Sequence, residues 1–368
     1  MSRRSKLGRR TFLAGAGASL ATAGVIGAEA ASAAPAQAQG PPFGVPGLQQ
    51  NYDPAYGVYR GVDPEIYSDW GIQRADRVLV YSRTAGPRHA HLGRRLDPDH
   101  SSNAGLNLNR PYVITHDHSN PSVWPLPLDS SNVSQNGLIR MLEAEGIEVH
   151  ITEDVRAIES LSNNYKAVIF NSTTRDTLWN HAAGAAGGTR LDRARESLRK
   201  YIQAGGGFVG IHNAFGTEYN GWRWYEGLLG NANYYNHGAN QDGDVVIVNS
   251  RDVSTKDLPQ RWGFRDEWYN LVPFPTHVNF LAVVDESTLA RGTGSTHPGH
   301  GDFHPVSWCQ YYDGGRSWVT TLGHDSNAYR EGTDFPGAAE FQEHLVHGIK
   351  SAMGLEPFCT PATGNQNG

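Results

Sequence analysis

The segment Gly205-Gly206-Gly207-Phe208-Val209-Gly210-Ile211-His212-Asn213-Ala214-Phe215 constrains the fold most. Before it, residues Arg190 to Gln203 read as a mixed-charge helix, with Leu191, Leu198, Tyr201 and Ile202 available to pack. The glycines stop that helix, and Phe208–Ile211 follows as a short buried strand that ends in a histidine. A helix running into a fully apolar strand is the unit from which parallel α/β sheets are built. In such sheets the turn at the carboxyl end of a strand is where ligands and nucleophiles sit. A cysteine or serine there would indicate covalent chemistry. His212 indicates acid–base work, metal ligation or polar contact instead.

The same alternation recurs along the chain. Arg77–Tyr81, Glu148–Ile151 and Ala167–Phe170 are short apolar, β-branched runs, and further strands are expected at Val245–Val248, Phe280–Val284 and Trp318–Leu322. Asn132 is a good N-cap for a helix whose apolar side is Leu138, Ile139, Leu142 and Ile147, with Gly146 ending it. A closing helix covers about Ala338 to Met353. Residues 86–131 lack periodicity and are dense in Asp, Asn, Pro, Ser and His; a loop that long is usually functional or mobile. No internal repeat and no second composition regime is present, so one domain is expected.

The N-terminus has the form of an export signal. Arg9-Arg10-Thr11-Phe12-Leu13 is a twin-arginine pattern, followed by an Ala/Gly-rich stretch and the cleavage-like Ala31-Ser32-Ala33. A soluble, secreted or extracytoplasmic mature protein is therefore expected, since no later run approaches the roughly 18 apolar residues of a membrane span. Residues 1–40 contribute +4 to the formal charge of −6, leaving the rest near −10. That acidity argues against nucleic acid, which needs a basic surface, and is compatible with neutral sugars. Cys309 and Cys359 could pair in an oxidising compartment, or Cys309 could be a buried free thiol in the run Val306-Ser307-Trp308-Cys309. The glycine triplet precedes its strand and opens no helix, so no nicotinamide or flavin cofactor is expected.

These residues resemble the ThuA-like (trehalose-utilisation) family. The matching pieces are Val78–Tyr81 with Gly86-Pro87-Arg88-His89; Gly146–Val149; Gly206–His212; Asn236-His237; Asp266-Glu267-Trp268-Tyr269-Asn270; Pro305–Trp308; and Gly315-Arg316 leading to Leu322-Gly323-His324. The resemblance implies a flavodoxin-like, class I glutamine-amidotransferase-like fold, with a mostly parallel central sheet and helices on both faces. It divides the chain into a signal (1–34), a leader (35–74), an α/β domain (75–356, with an insertion at about 92–131) and a tail (357–368). His212 stands where amidotransferases carry their nucleophilic cysteine, so amidotransferase chemistry is not expected. The family's link to sugar metabolism, and to keto-derivatives of trehalose-type disaccharides, points to a carbohydrate partner. The export signal and the insertion favour an extracellular glycan or oligosaccharide.

Residues just past the carboxyl ends of parallel strands share one rim. His89, Thr173, His212 and His324 are expected there by topology, and the resemblance adds His237 and Glu267. Histidines with a carboxylate can hold Zn²⁺ or another divalent ion, with His212, His237 and His324 as candidate ligands. Equally, they can form a metal-free pocket working as acid, base or hydrogen-bond donors. Glu267, His89, His212 and Tyr269 are the catalytic candidates. Aromatic neighbours are expected to desolvate Glu267 and raise its pKa, and Tyr269 to support developing negative charge. The competing reading makes Glu267 a surface carboxylate paired with Arg265. Asp266 is no glycosidase partner for it, because neighbours on a strand face opposite ways.

Trp222, Trp224, Tyr225, Tyr234, Tyr235 and Trp268 form an aromatic-rich middle third. Trp222, Trp224 and Trp268 are candidate sugar platforms, with Thr173 and His304 as further substrate contacts; core packing is the alternative. His116 and His118 read as solvated loop histidines, and His297 and His300 sit in a Gly/Pro loop that could approach the rim. Two functions follow: a carbohydrate hydrolase, lyase or isomerase, or a secreted sugar-binding module without turnover.

Overall fold

A computed structural model describes residues 52–60, 74–93, 128–161, 164–178, 192–218, 221–294 and 296–362. The twin-arginine segment, most of the leader, the bulk of the 92–131 insertion with His116 and His118, and the last six residues lie outside the described residues. No helix among the described residues is long and apolar enough to cross a membrane.

The strands and helices follow in chain order. β1 (Tyr52–Asp53) and β2 (Val58–Tyr59) form a small ribbon. Then come β3 (Arg77–Tyr81), α1 (Val133–Glu143), β4 (Glu148–Thr152), α2 (Val155–Glu159), β5 (Ala167–Asn171), α3 (Asp192–Gln203) and β6 (Gly207–Ile211). The remainder is α4 (Arg223–Leu228), β7 (Tyr234–His237), β8 (Gln241–Ile247), β9 (Arg261–Asp266), β10 (Tyr269–Leu271), β11 (Asn279–Asp285), β12 (His304–Tyr312), β13 (Gly315–Thr320) and α5 (Ala338–Ala352).

Nine strands form one sheet in the order β4-β3-β5-β6-β13-β12-β11-β8-β9. The first five are parallel, and from β13 to β9 every pairing is antiparallel. The sheet is therefore mixed, which corrects the expectation of a mostly parallel one. The reversal begins at the two-residue hairpin Asp313-Gly314, where both residues have positive φ (46° and 94°). That geometry matches the twist of antiparallel strands, and Asp-Gly is its characteristic sequence. β7 and β10 pair only with each other, as a separate ribbon.

Strand alternation divides the core. Val78 and Val80 of β3 join a cluster with Leu138, Met141 and Leu142 of α1 and Phe341, Leu345 and Ile349 of α5. Leu79 and Tyr81, between them, join a cluster with residues of α2, α3 and α4. Gly207 is needed for this packing: a Cβ there would lie 2.3 Å from the carbonyl oxygen of Ala352 at the end of α5. Asn132 precedes α1 but does not cap it with its side chain. Its amide is committed to the Leu92 carbonyl at 2.7 Å, holding the end of the His89 loop instead.

Cys309 and Cys359 are joined by a disulfide. It ties β12 to the chain beyond α5 and closes a sequence separation of 50 residues. Reduction, or Cys359→Ser, is expected to destabilise the protein by about 2–4 kcal/mol through the freed unfolded chain, read as a lowered denaturant midpoint with and without reductant. His344 of α5 is fully buried, with Nδ1 donating to the Ser254 carbonyl at 2.8 Å. Burial lowers its pKa to about 4. Between pH 6.5 and 4 the unfolded chain then takes up a proton that the native imidazole refuses, so stability falls as pH falls through this window. His344→Gln is expected to make the stability–pH slope in that window shallower by one proton's worth, measured by denaturation at pH 7, 6 and 5.

Candidate functional site

Strand ends deliver most of the site. His212 follows β6 directly and opens the short 3-10 turn His212–Gly216, with φ of 50°. Ser172, at the matching position after β5, has φ of 49°, and its N–H donates to the Ile211 carbonyl at 3.1 Å. Left-handed conformations at non-glycine residues cost of order 1–3 kcal/mol each and persist where surrounding structure holds them, often at functional sites. His89 ends the loop after β3, and His324 lies four residues past β13. Glu267 follows β9, while Tyr269 and His237 face each other across the β7–β10 ribbon.

Hydrogen bonds fix which nitrogens face inward. Nδ1 of His212 donates to the Thr321 carbonyl at 2.8 Å, so Nε2 carries the lone pair. The Tyr269 hydroxyl donates to that Nε2 at 2.8 Å, and Nε2 of His89 lies 3.1 Å from it. Nδ1 of His237 donates to the Gly238 carbonyl at 2.6 Å, and its Nε2 lies 3.5 Å from Glu267 Oε2. The same carboxylate oxygen is 3.1 Å from His324 Nδ1 and 3.9 Å from His212 Nε2. Although close, His324 Nδ1 lacks hydrogen-bond alignment, and Nδ1 of His89 is likewise buried without a partner.

Charge is distributed unequally. Burial, then the neighbouring His89 and His324 rings, hold His212 well below the usual imidazole range. Burial and His324 lower His89 to about 4. Burial also pulls His324 down, but Glu267 and Asp266 outweigh it and raise the ring above its ordinary value. For Glu267 burial pushes upward, and the surrounding histidines, His324 first, outweigh it and lower the carboxyl. The expected rise at Glu267 is thus corrected: imidazoles, not aromatic desolvation, dominate its surroundings. Burial drives Tyr269 far above the usual phenol value, so it stays protonated.

The set holds a carboxyl lowered from its ordinary value, an imidazole raised from its own, and a phenol that stays protonated. One atom each from His89, His212, Glu267 and His324 also lie within 4.8 Å of one another. Tetrahedral zinc with bonds near 2.1 Å sets its ligand atoms about 3.4 Å apart, so the four donors fit a divalent ion with a modest inward shift. The Nδ1–H to carbonyl bond of His212 is the outer contact that orients metal-binding histidines.

Other expected residues are placed elsewhere. Trp268 is buried, with Nε1 on the Gln241 carbonyl at 3.1 Å, and offers no ring face. Trp224 is buried with Nε1 on Asp313 at 2.7 Å, at the β12–β13 hairpin, the opposite end of β13 from His324. Trp222 stacks on Trp224 at 4.7 Å. Thr173 is buried and bonded to Thr217. Arg265 pairs with Asp242 rather than Glu267. His304 is fully buried behind Tyr269, with Nε2 on the Tyr269 carbonyl at 2.9 Å and Nδ1 on Glu286 at 2.6 Å. His300 Nε2 accepts the Leu271 N–H at 3.0 Å, so two imidazoles serve the edge of β10 where a neighbouring strand would.

Two further residues support the site from behind. Asp266, fully buried, accepts N–H bonds from Gly323 (2.7 Å), Glu267 (2.8 Å) and His324 (3.3 Å); burial still raises it to about 7. His91 packs behind His89, bonded to Ser134 at 2.9 Å and stacked on Tyr329.

A family model, ThuA (trehalose utilisation), matches residues 127–352. No curated protein matches the chain. Among solved structures, a ThuA-like protein of Bacteroides uniformis is similar at 18% identity, covering 76% of this chain and 92% of its own, with a TM-score of 0.48. A ThuA-like protein of Parabacteroides merdae is similar at 16% identity, covering 76% and 90%, with a TM-score of 0.44.

The left-handed turn at His212 predicts an inverted stability order. Glycine relieves left-handed strain that alanine retains, by about 1 kcal/mol. His212→Gly is expected to be more stable than His212→Ala by that amount in denaturant unfolding, although both lose the imidazole.

Proposed function

The chain belongs to the ThuA, or trehalose-utilisation, family, and we propose that it is a secreted carbohydrate-active enzyme that acts by acid–base chemistry on a glycoside or keto-sugar. One observation carries this reading: the Glu267 carboxylate lies 3.1 Å from the His324 ring, beside a His212–Tyr269 pair of fixed hydrogen-bond direction. A lowered carboxyl and a raised imidazole give a base and an acid in one pocket near neutral pH. We place this site on a flavodoxin-like, amidotransferase-like core with His212 where the nucleophile would be. The disulfide favours an oxidising, extracytoplasmic setting.

For a keto-glycoside the steps balance as an elimination. Glu267 takes the proton from the carbon next to the ketone. The C–H electrons form a new C=C bond, and the bond from the β-carbon to the glycosidic oxygen breaks. His324 gives its proton to the departing oxygen. With substrate bound, the Tyr269 hydroxyl turns from His212 Nε2 to the ketone oxygen, and with His89 it supplies hydrogen bonds where negative charge collects.

The four converging donors favour a second reading, in which His89, His212, His324 and Glu267 would hold a divalent ion that would supply Lewis acidity to the ketone. His237, 3.5 Å from Glu267, is then the nearest remaining base.

Glu267→Gln is expected to lower turnover of a keto-disaccharide at least 100-fold with an unchanged melting temperature. Full activity in that variant sinks the acid–base reading. Elemental analysis of wild type beside the His212→Ala/His324→Ala variant separates the two mechanisms: near-stoichiometric metal lost in the variant establishes the second. Sugar binding without turnover makes the protein a binding module.

A further inference from the structure

Among the described residues seven large apolar side chains are exposed; Tyr52, Val248 and Leu355 lie apart, and the other four do not. Tyr235 (41% exposed), Val272 (44%), Phe274 (39%) and Phe303 (38%) belong to one surface. Their rings link in sequence: Tyr235 lies 5.6 Å from His297, His297 4.8 Å from His300, and His300 5.3 Å from Phe274. Phe274 and Phe303 both pack on the half-buried Phe280, at 6.1 and 4.9 Å. Contiguous exposed apolar surface on a folded domain marks an interaction site.

This surface is continuous with the cluster around Glu267, because the β7–β10 ribbon carries both. Tyr235 is two residues, about 6–7 Å of strand, from His237, which faces Glu267. The ladder is irregular there: Asn236 pairs with Asn270 and Tyr234 with Leu271, so Tyr235 is the extra residue of a bulge. Bulges re-aim side chains and are common beside active sites. Tyr234 packs inward on Tyr269 at 4.6 Å, while Tyr235 is turned to solvent.

The surface is also braced. The Val272 N–H bonds the Asn233 carbonyl at 3.0 Å. His300 holds the Leu271 N–H, and Glu286 ties His304 to the same loop. Rigid rings lose little entropy on binding.

Its chemistry selects the occupant. From Trp268 to His304 the sequence contains one cation, Arg291, so nothing there suits phosphate or an anionic membrane. Adjacent rings are tilted by 46–81°, presenting separate faces along a path rather than one flat plane. Separate aromatic faces interspersed with imidazole donors match sugar rings, which have apolar C–H faces and hydroxyl edges.

We propose that Tyr235, Phe274 and Phe303, with His297 and His300 between them, form a subsite for the neutral sugar units of an oligosaccharide whose reacting unit sits at Glu267. This rests on the carbohydrate reading above and deepens it from a small sugar to a chain.

The test uses a panel of neutral oligosaccharides of two to six units with the full protein. Affinity is expected to rise at least tenfold with chain length. Tyr235→Ala and Phe274→Ala should abolish that gain with unchanged melting temperatures, whereas Tyr235→Phe and Phe274→Trp should keep it. Affinity independent of length, or unaffected by the alanine variants, overturns the proposal, as does binding of no oligosaccharide in the panel. A dimer in sedimentation that Phe274→Ala dissolves also overturns it, since the surface would then be an interface between copies. Glu267→Gln separates this from the catalytic reading. Length-dependent binding with no turnover in any form leaves the subsite standing without the enzyme. Turnover of a disaccharide, together with an affinity for longer chains that the Tyr235 and Phe274 variants leave unchanged, leaves the enzyme standing without the subsite.

Discussion

The arrangement depends on the buried carboxylate of Asp266. It ends β9, the far edge strand of the sheet, and accepts the N–H groups of Gly323 and His324 from the turn after β13. It also accepts the N–H of Glu267. A single side chain thereby fixes the backbone on which both His324 and Glu267 stand, although 57 residues separate them in sequence from Asp266 to Gly323. Burial opposes its ionisation, and the three N–H donors oppose burial. A carboxylate supplied with several backbone donors is how a fold holds such a group in its interior.

Around that anchor the mixed sheet brings together residues that a parallel sheet alone would keep apart. The parallel half supplies His89, His212 and His324 from the carboxyl ends of β3, β6 and β13. The antiparallel half turns β9 so that Glu267 arrives at the same rim. The β7–β10 ribbon, outside the main sheet, lays Tyr269 and His237 over them. His304 and His300 hold that ribbon by its backbone, so the phenol facing His212 is positioned by groups that never reach the pocket. The pKa pattern follows from this crowding. Burial holds His89 and His212 below the usual imidazole range, whereas Glu267 and Asp266 together outweigh burial at His324 and raise it.

Much of the parallel half was legible because its strands are fully apolar. The runs at Arg77–Tyr81, Ala167–Phe170 and Phe208–Ile211 have no other stable use in a soluble domain, and each strand lies within a residue or two of its expected span. β7, β9 and β10 were not foreseen. β7 and β10 are short, and Tyr234-Tyr235-Asn236-His237 is polar and aromatic without a clean period because the two form a separate ribbon, whereas β9 alternates exposed and buried residues as an edge strand does. The Asp313-Gly314 hairpin was a local signal for the antiparallel turn that went unused. The aromatic assignments failed for a different reason. Trp224 and Trp268 are large enough that burial claims them, each with its indole N–H on an internal acceptor, and nothing local distinguishes such a ring from an exposed Tyr235.

By itself the sequence determined the elements of the parallel half and the residues standing at their carboxyl ends, since apolar period and strand polarity are local and the rim follows from them. Only the tertiary structure decided the pairing of Cys309 with Cys359, the tautomer of His212 and the ionised state of Glu267. It alone also decided which aromatic rings face solvent. Each of these depends on atoms contributed from distant parts of the chain, and electrostatic and packing energies are set by distance in space, which spacing along the sequence does not specify.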